Sequence, residues 1–414
     1  MRARSPRLAL ATVAAEGLLG RLTFGMVSFG LPLYAHSLGM SMSQIGFLIS
    51  IRTVFVLPFK PVAGWLADRI GIRAVYLAGI AARTLSAVVL LSAGDFLGLV
   101  LVRMLQAGSA AGRDVASLSV IARDGGGKVG THYGWYASAK QVGGVTGAGA
   151  AGIVLGASGY RMLFLVVLAM SLVPLAIAWI GLRETEAPDA RPRERRPRQS
   201  VRAGLHATFD GLGGAASVGM LVAASAYMVH GIFPILATEY AGLSAAQAGV
   251  IYSISAAVFL VAGPFFGWLI DRRGRKIGLA LRSLCNIGSS ALYIAFPSFA
   301  GLTVARCVDD SGKAAFRPAW ASLVAEIAAE DTERRGRRLG ALDTSASVGE
   351  VVGPALAGIL WQTGGIVPLF AARIAIAIVA EVAALRVFGD LRGFRLPLRR
   401  GSAPRLPARP VESP

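Results

Sequence analysis

Between residues 306 and 317, five charged side chains interrupt the apolar run 299–328. Arg306, Asp309, Asp310, Lys313 and Arg317 stand at i, i+3, i+4, i+7 and i+11, so they share one broad face of a helix. Arg306 with Asp310, and Asp309 with Lys313, are natural i, i+4 partners. Other ionisable groups punctuate other apolar runs: Glu16 and Arg21 in 10–34, Arg103, Arg113 and Asp114 in 96–122, Lys140 in 133–156, and Asp343 and Glu350 in 338–361. A charge in an apolar, water-poor segment is expensive, so it faces a partner or a wet cavity. The chemistry open to this set is ion pairing, recognition of a charged small molecule, and proton binding and release by a carboxylate. Asp114, Asp309, Asp310 and Glu350 are the candidate proton carriers, with Asp310 and Glu350 placed first. Glu350 lies in the run Gly349–Gly358, where small residues allow close helix approach. Arg103, Arg113, Lys140, Lys313 and Arg317 are the candidate basic groups of the same cavity. The rival reading of each is an ion pair that locks two helices together.

The elements that carry these groups are membrane spans. The chain has 414 residues, 54% hydrophobic and 16% charged, where soluble proteins carry about 25% charged residues. Mean hydropathy is +0.60. About twelve runs are long and apolar enough to cross a bilayer. Six lie in the first half, at 10–34, 43–66, 74–93, 96–122, 133–156 and 160–181. Six lie in the second, at 211–238, 245–270, 278–296, 299–328, 338–361 and 366–388. The expected fold is an all-α membrane protein of twelve transmembrane helices in two pseudo-symmetric six-helix bundles. The bundles are 1–182 and 207–388. A Pro-, Arg- and Glu-containing linker at 183–206 separates them, and a Pro- and Arg-rich cytoplasmic tail fills 389–414.

The halves are copies of one unit. Gly64-Trp65-Leu66-Ala67-Asp68-Arg69-Ile70-Gly71-Ile72-Arg73 returns as Gly267-Trp268-Leu269-Ile270-Asp271-Arg272-Arg273-Gly274-Arg275-Lys276. Arg103 pairs with Arg306 at the same offset, and Gly143 and Gly147 pair with Gly349 and Gly353 at nearly the same one. Parallel repeats of six spans are related by an axis along the membrane normal, with the working site between them near midplane. In the hinge loops, Gly64, Gly71, Gly267 and Gly274 are expected where backbones pack closely.

The net charge of +19 reports topology rather than nucleic-acid binding. Basic residues follow the even-numbered spans, as at Arg69, Arg73, Arg123, Lys128, Arg272 and Arg338, while the loop Ala35–Ser43 has no charge apart from His36 when it is protonated. The positive-inside rule puts both termini in the cytoplasm, and anionic lipid beside the basic loops. The first span, behind Arg2, Arg4 and Arg7, exceeds a signal-peptide core and reads as a retained helix. The four histidines have no metal-ligand spacing, and no phosphate-cradling Gly-x-x-x-x-Gly-Lys-Ser/Thr loop is present. No metal, no cofactor and no enzymatic activity is therefore expected. Cys285 and Cys307 lie in spans and read as buried thiols.

The repeated hinge is similar to the signature loop of the major facilitator superfamily, Gly-x-Leu-x-Asp-Arg-x-Gly-x-Arg-Lys, between spans two and three and again between eight and nine. The second copy fits throughout; the first ends Ile72-Arg73-Ala74 and is one basic residue short. Arg103-Met104-Leu105-Gln106-Ala107-Gly108 resembles that family's span-four pattern with one residue inserted. Span five holds Gly143, Gly147 and Gly152 but lacks the Gly-Pro pair of many antiporters, which stands in span eleven at Gly353-Pro354. The resemblance implies a monomeric secondary active transporter of a small organic molecule in a bacterial cytoplasmic membrane, working by alternating access. It also implies that Asp68, Arg69, Arg73, Asp271, Arg272 and Arg275 gate the cytoplasmic side. Proton-coupled efflux is the first expectation. Import or exchange of an organic anion or metabolite is the second, and a non-transporting sensor with this fold a third. The spans of the first half are rich in cations (Arg21, Arg52, Arg83, Arg103, Arg113, Lys140) against Glu16 and Asp114. If those cations face the cavity the cargo is anionic or zwitterionic; if they pair with Asp309, Asp310 or Glu350 that inference fails.

Overall fold

The computed structural model describes residues 6–124, 126, 129–181, 212–329 and 335–388. The expected linker at 183–206 and tail at 389–414 lie outside them, as does Lys128. The described chain is twelve helices without strands. In the first half they are α1 (Pro6–Ser37), α2 (Met42–Ile70), α3 (Ile72–Ser92) and α4 (Phe96–Asp124). Val129–Gly181 follows as two helices, α5 (129–158) and α6 (160–181), broken at Gly159, whose φ of 76° suits glycine alone. In the second half they are α7 (Gly213–His230), α8 (Ala245–Arg273), α9 (Arg275–Ala295), α10 (Phe299–Ala329), α11 (Arg335–Gly364) and α12 (Ile366–Phe388). The run 211–238, read as one span, is interrupted. α7 stops at His230, and a short helix Phe233–Ile235 and a π-turn Leu236–Tyr240 follow. Pro234 has no N–H for the ladder, which ends a regular helix there.

Eight of the helical segments among the described residues are long and apolar enough to cross a membrane by length and composition, the fused pair α5–α6 counting once. The others, α4, α10 and α11, match them at 29, 31 and 30 residues and carry the internal charges. The protein is a multi-pass membrane protein.

The repeat in the sequence is a repeat of contacts. Gly143 and Gly147 of α5 lie against the backbone carbonyls of Leu18 and Leu22 in α1; Gly349 and Gly353 of α11 lie against those of Met220 and Ala224 in α7. Between the halves, Gly46 of α2 meets Pro354 and Gly358 of α11, and Gly249 of α8 meets Gly149 and Gly152 of α5. Small residues permit such approach where no hydrophobic effect drives helices together. Equivalent capping boxes start α2 and α8: Ser41 with Gln44, and Ser244 with Gln247. The Tyr34 hydroxyl donates to the Ala93 carbonyl at 3.0 Å, and its counterpart Tyr240 to Ile294 at 3.1 Å.

These contacts close one end of the molecule. There the Met42 amide donates to Gln362 Oε1 at 2.9 Å and the Ser50 hydroxyl to the Val351 carbonyl at 2.6 Å. The largest apolar cluster also spans both halves there, bringing Met26, Phe29 and Leu48 together with Phe233, Leu236 and Ile251. At the other end, which carries the α2–α3 and α8–α9 hinges, Trp65 and Trp268 are half exposed. Side chains added at Gly64 or Gly267 would meet nothing within 4 Å. The expectation of close packing at those two glycines is therefore corrected: in this state they face open space. Gly71 and Gly274 likewise meet nothing within 4 Å among the described residues, and require glycine instead for their φ of 91° and 93° at the two bends.

Candidate functional site

A cavity of about 260 Å³ lies between the halves, lined by α1, α2, α3, α4, α5 and α6 on one side and by α7 and α11 on the other. Its first-half wall is organised by Glu16, which is fully buried in α1. Glu16 holds Arg113 Nε of α4 at 2.6 Å and Arg83 Nη1 of α3 at 3.5 Å, and accepts the Tyr76 hydroxyl at 2.7 Å. Gly20, one turn along α1, leaves the space the two guanidinium groups occupy; a Cβ there would collide with Arg83. Asp114 of α4 pairs with Lys140 of α5 at 2.9 Å. An Arg or Lys so committed balances its carboxylate and gives the wall a fixed shape.

Two cations differ. The guanidinium carbons of Arg21 and Arg52 lie 4.8 Å and 4.4 Å from the centre of the Phe24 ring, and neither has a carboxylate within ion-pair distance among the described residues. The second-half wall carries Tyr227 of α7 and Asp343, Ser347 and Glu350 of α11. Tyr227 stands close enough for its hydroxyl to interact with Glu350. A contact between Glu350 and Lys140 does not form, because Lys140 is held by Asp114.

Of the residues singled out from spacing, the cavity thus gathers Arg113, Asp114, Lys140 and Glu350. Arg103 is buried nearby and donates to Gln106 at 3.1 Å. The charged face of α10 does not reach this cavity. Asp309, fully buried, accepts Arg282 Nη1 of α9 at 2.9 Å, Arg373 Nη2 of α12 at 2.6 Å and Lys313 Nζ at 2.8 Å. Lys313 also reaches Asp310 at 2.8 Å, and Arg306 reaches Asp310 at 3.4 Å. Both expected i, i+4 pairs form. Arg306 further lies over the rings of Phe233 and Tyr252, at 4.7 and 4.5 Å. Arg373 extends the network to the Ser225 carbonyl and to the hydroxyls of Ser289 and Ser290. Arg317 is exposed and lies over Phe259.

Spacing singled out neither Arg282 nor Arg373. Arg282 is the single charged residue of the run 278–296, and that isolation was an available signal; Arg373 shares 366–388 with Glu381 and Arg386. Phe24 and Tyr227 carried none, since aromatic residues are common in spans.

The hinges repeat one device. Arg69 lies over Trp65 at 4.2 Å and Arg272 over Trp268 at 4.5 Å. The motif's tryptophans are thus platforms for its arginines. Arg73 reaches toward Trp179 of α6, and Arg275 pairs with Glu326 of α10.

Two similar six-helix halves, a polar cavity between them and a repeated Asp-Arg hinge at one end have the architecture of a membrane carrier. The family model of the Major Facilitator Superfamily matches residues 17–212 and 215–411, and the chain belongs to that family. It is 30% identical over 139 residues to a multidrug resistance protein B homolog of Mycobacterium tuberculosis, covering 33% of this chain and 25% of that one. It is 29% identical over 120 residues to the human synaptic vesicular amine transporter, covering 29% and 23%. The matched part thus spans about a quarter of these curated relatives. The fold is similar to the crystal structure of the nucleoside transporter NupG, with a TM-score of 0.74 at 15% identity over 93% of this chain and 99% of that one. It is also similar to a bacterial homolog of the human lysosomal transporter Spinster in an inward-facing, occupied conformation, with a TM-score of 0.70 at 16% identity over 93% and 96%.

Proposed function

We propose that the chain is a secondary active transporter that carries a small organic molecule across the bacterial cytoplasmic membrane by alternating access. The carrying observation is the central cavity, sealed by the α2–α11 and α5–α8 contacts at one end while the hinge-bearing ends stand apart. Arg69, Arg73, Arg123, Arg272, Arg273, Arg275 and Lys276 crowd the open end, so that end is cytoplasmic and the state is inward-open. Closure would bring the hinges together, with Asp68 and Asp271 accepting from helix N-termini and arginines of the opposing helices. Efflux by exchange for protons is the direction favoured here, supported by the name of the multidrug resistance relative and by the vesicular amine transporters.

The seal gives a direct test. With Cys285 and Cys307 replaced by alanine, the pair Met42→Cys and Gln362→Cys is cross-linked by a short bis-maleimide in proteoliposomes. Flux is expected to fall to the level of empty liposomes, whereas each single variant keeps it. Undiminished flux after complete cross-linking would exclude opening at this seal.

The proton is assigned to Glu350. It lines the cavity near Arg52 and Lys60 with no salt bridge among the described residues, so it exchanges with whichever side the cavity faces. Asp310, ranked beside it on spacing, is held between Lys313 and Arg306 away from that cavity. Glu350→Gln is expected to abolish accumulation driven by an imposed pH gradient while sparing exchange of labelled for unlabelled cargo. Uphill transport with an unaltered pH profile would move the assignment elsewhere.

A further inference from the structure

We infer that the cargo is amphoteric, with an acidic group that docks between Arg21 and Arg52 and a protonated amine that faces Glu350. The inference rests on the cavity being the cargo site proposed above. Most charges of the cavity's first-half wall are already matched: Arg83 and Arg113 by Glu16, Lys140 by Asp114. Arg21, Arg52 and Lys60 have no such partner among the described residues, and of these three Arg21 and Arg52 stand together against one ring. Both guanidinium groups crowd one ring, and the buried Arg52 Nε has no hydrogen-bond partner. Two like charges side by side in a poorly hydrated cavity repel, and an aromatic face offsets only a part of that. An anion placed between them removes the repulsion and satisfies the free donors. Guanidinium forks favour planar acids such as carboxylates.

The opposite wall has the reverse character. Among the described residues Glu350 and Asp343 face the cavity without an ion pair, with the Tyr227 and Ser347 hydroxyls beside them. The cationic wall belongs to α1 and α2 of one half and the acidic wall to α11 of the other. A molecule with both charges therefore touches both halves at once, and its contacts change when the halves rock. A purely cationic cargo would leave Arg21 and Arg52 unmatched, and a purely anionic one would leave Glu350 unmatched.

The test uses the purified full-length protein and three matched probe sets: α-amino acids, the amines they become without the carboxylate, and the acids they become without the amine. Binding is read as the concentration dependence of thermal stabilisation in detergent. Amino acids are expected to bind best. Arg52→Gln, and independently Arg21→Gln, should weaken them by about ten- to a hundredfold. Arg52→Lys should restore part of the loss, and the amines should be affected little. Amines binding as tightly as amino acids, unchanged amino-acid affinity in both glutamine variants, or binding by none of the three sets would overturn the inference. Flux of labelled probe in proteoliposomes is measured separately. Arginine-dependent binding without flux would spare this inference and sink the transport reading. Flux of amines indifferent to both arginines would do the reverse.

Discussion

Asp309→Asn is expected to leave the protein folded poorly or not at all, with a loss of about 3–5 kcal/mol. Asp309 has no solvent exposure and receives Arg282, Arg373 and Lys313. Its amide analogue has the same size but no charge, so three cations would stand buried around a neutral group. Removing one partner of a buried ion pair is far costlier than replacing the whole pair by apolar groups. The effect should read as a large fall in apparent melting temperature in detergent and in the yield of monodisperse protein. Asp310→Asn is the comparison. Asp310 contacts Lys313 and Arg306 and is 9% exposed, so its loss should be the milder. A double-mutant cycle with Arg373→Met separates a hub from a bystander. If Asp309 is the hub, the second substitution should recover part of the stability lost in the first. An Asp309→Asn variant that melts with the native protein would show that the network contributes nothing to stability.

The contrast between this network and the central cavity marks the limit of what the sequence carried. Local spacing identified the Arg306–Asp310 and Asp309–Lys313 pairs, because i, i+4 neighbours on a helix meet whatever the tertiary fold. It also identified the halves, since a duplicated unit leaves Gly64 opposite Gly267 and Gly143 opposite Gly349 in the alignment of the chain with itself. The contacts of α5 on α1 and of α11 on α7 follow the same repeat, although the alignment alone did not say what those glycines touch. Which charges face the cavity was not legible. Asp310 and Glu350 look alike as carboxylates in apolar runs, yet one is enclosed by its own bundle and the other lines the gap between bundles. The helix's rotation about its own axis decides this, and packing against α7 and α9 sets that rotation. Arg373 escaped notice for a related reason: its partner lies 64 residues away in α10, and no periodicity links two helices. The glycines of the hinge were recognisable, but their roles divide. Gly71 and Gly274 answer to backbone conformation, while Gly64 and Gly267 answer to nothing in the open state.

That division points to glycines whose replacement should act on the transport cycle rather than on folding. Gly152→Val is expected to reduce flux to background and to leave the protein well folded. A Cβ at Gly152 would lie 2.7 Å from the Gly249 Cα across the α5–α8 contact, where backbone cannot yield as a flexible side chain would. Overpacking of this kind costs about 1–3 kcal/mol. Borne only by the state in which α5 and α8 touch, that cost would shift the balance between the two states by about five- to 150-fold. Gly46→Val should act alike, because Gly46 meets Pro354 and Gly358 at the pseudo-symmetric α2–α11 contact. Gly288→Ala supplies the control, since a Cβ there would meet nothing within 4 Å. The shift is read from a single cysteine at Gly64, in a background without Cys285 and Cys307. Gly64 faces open space at the hinge end, so an impermeant maleimide should label it readily in the otherwise native protein and slowly in either valine variant. Slow labelling with lost flux fits a seal that must re-form in every cycle. Fast labelling with native flux would mean that the close contacts of α5 with α8 and of α2 with α11 are incidental to transport.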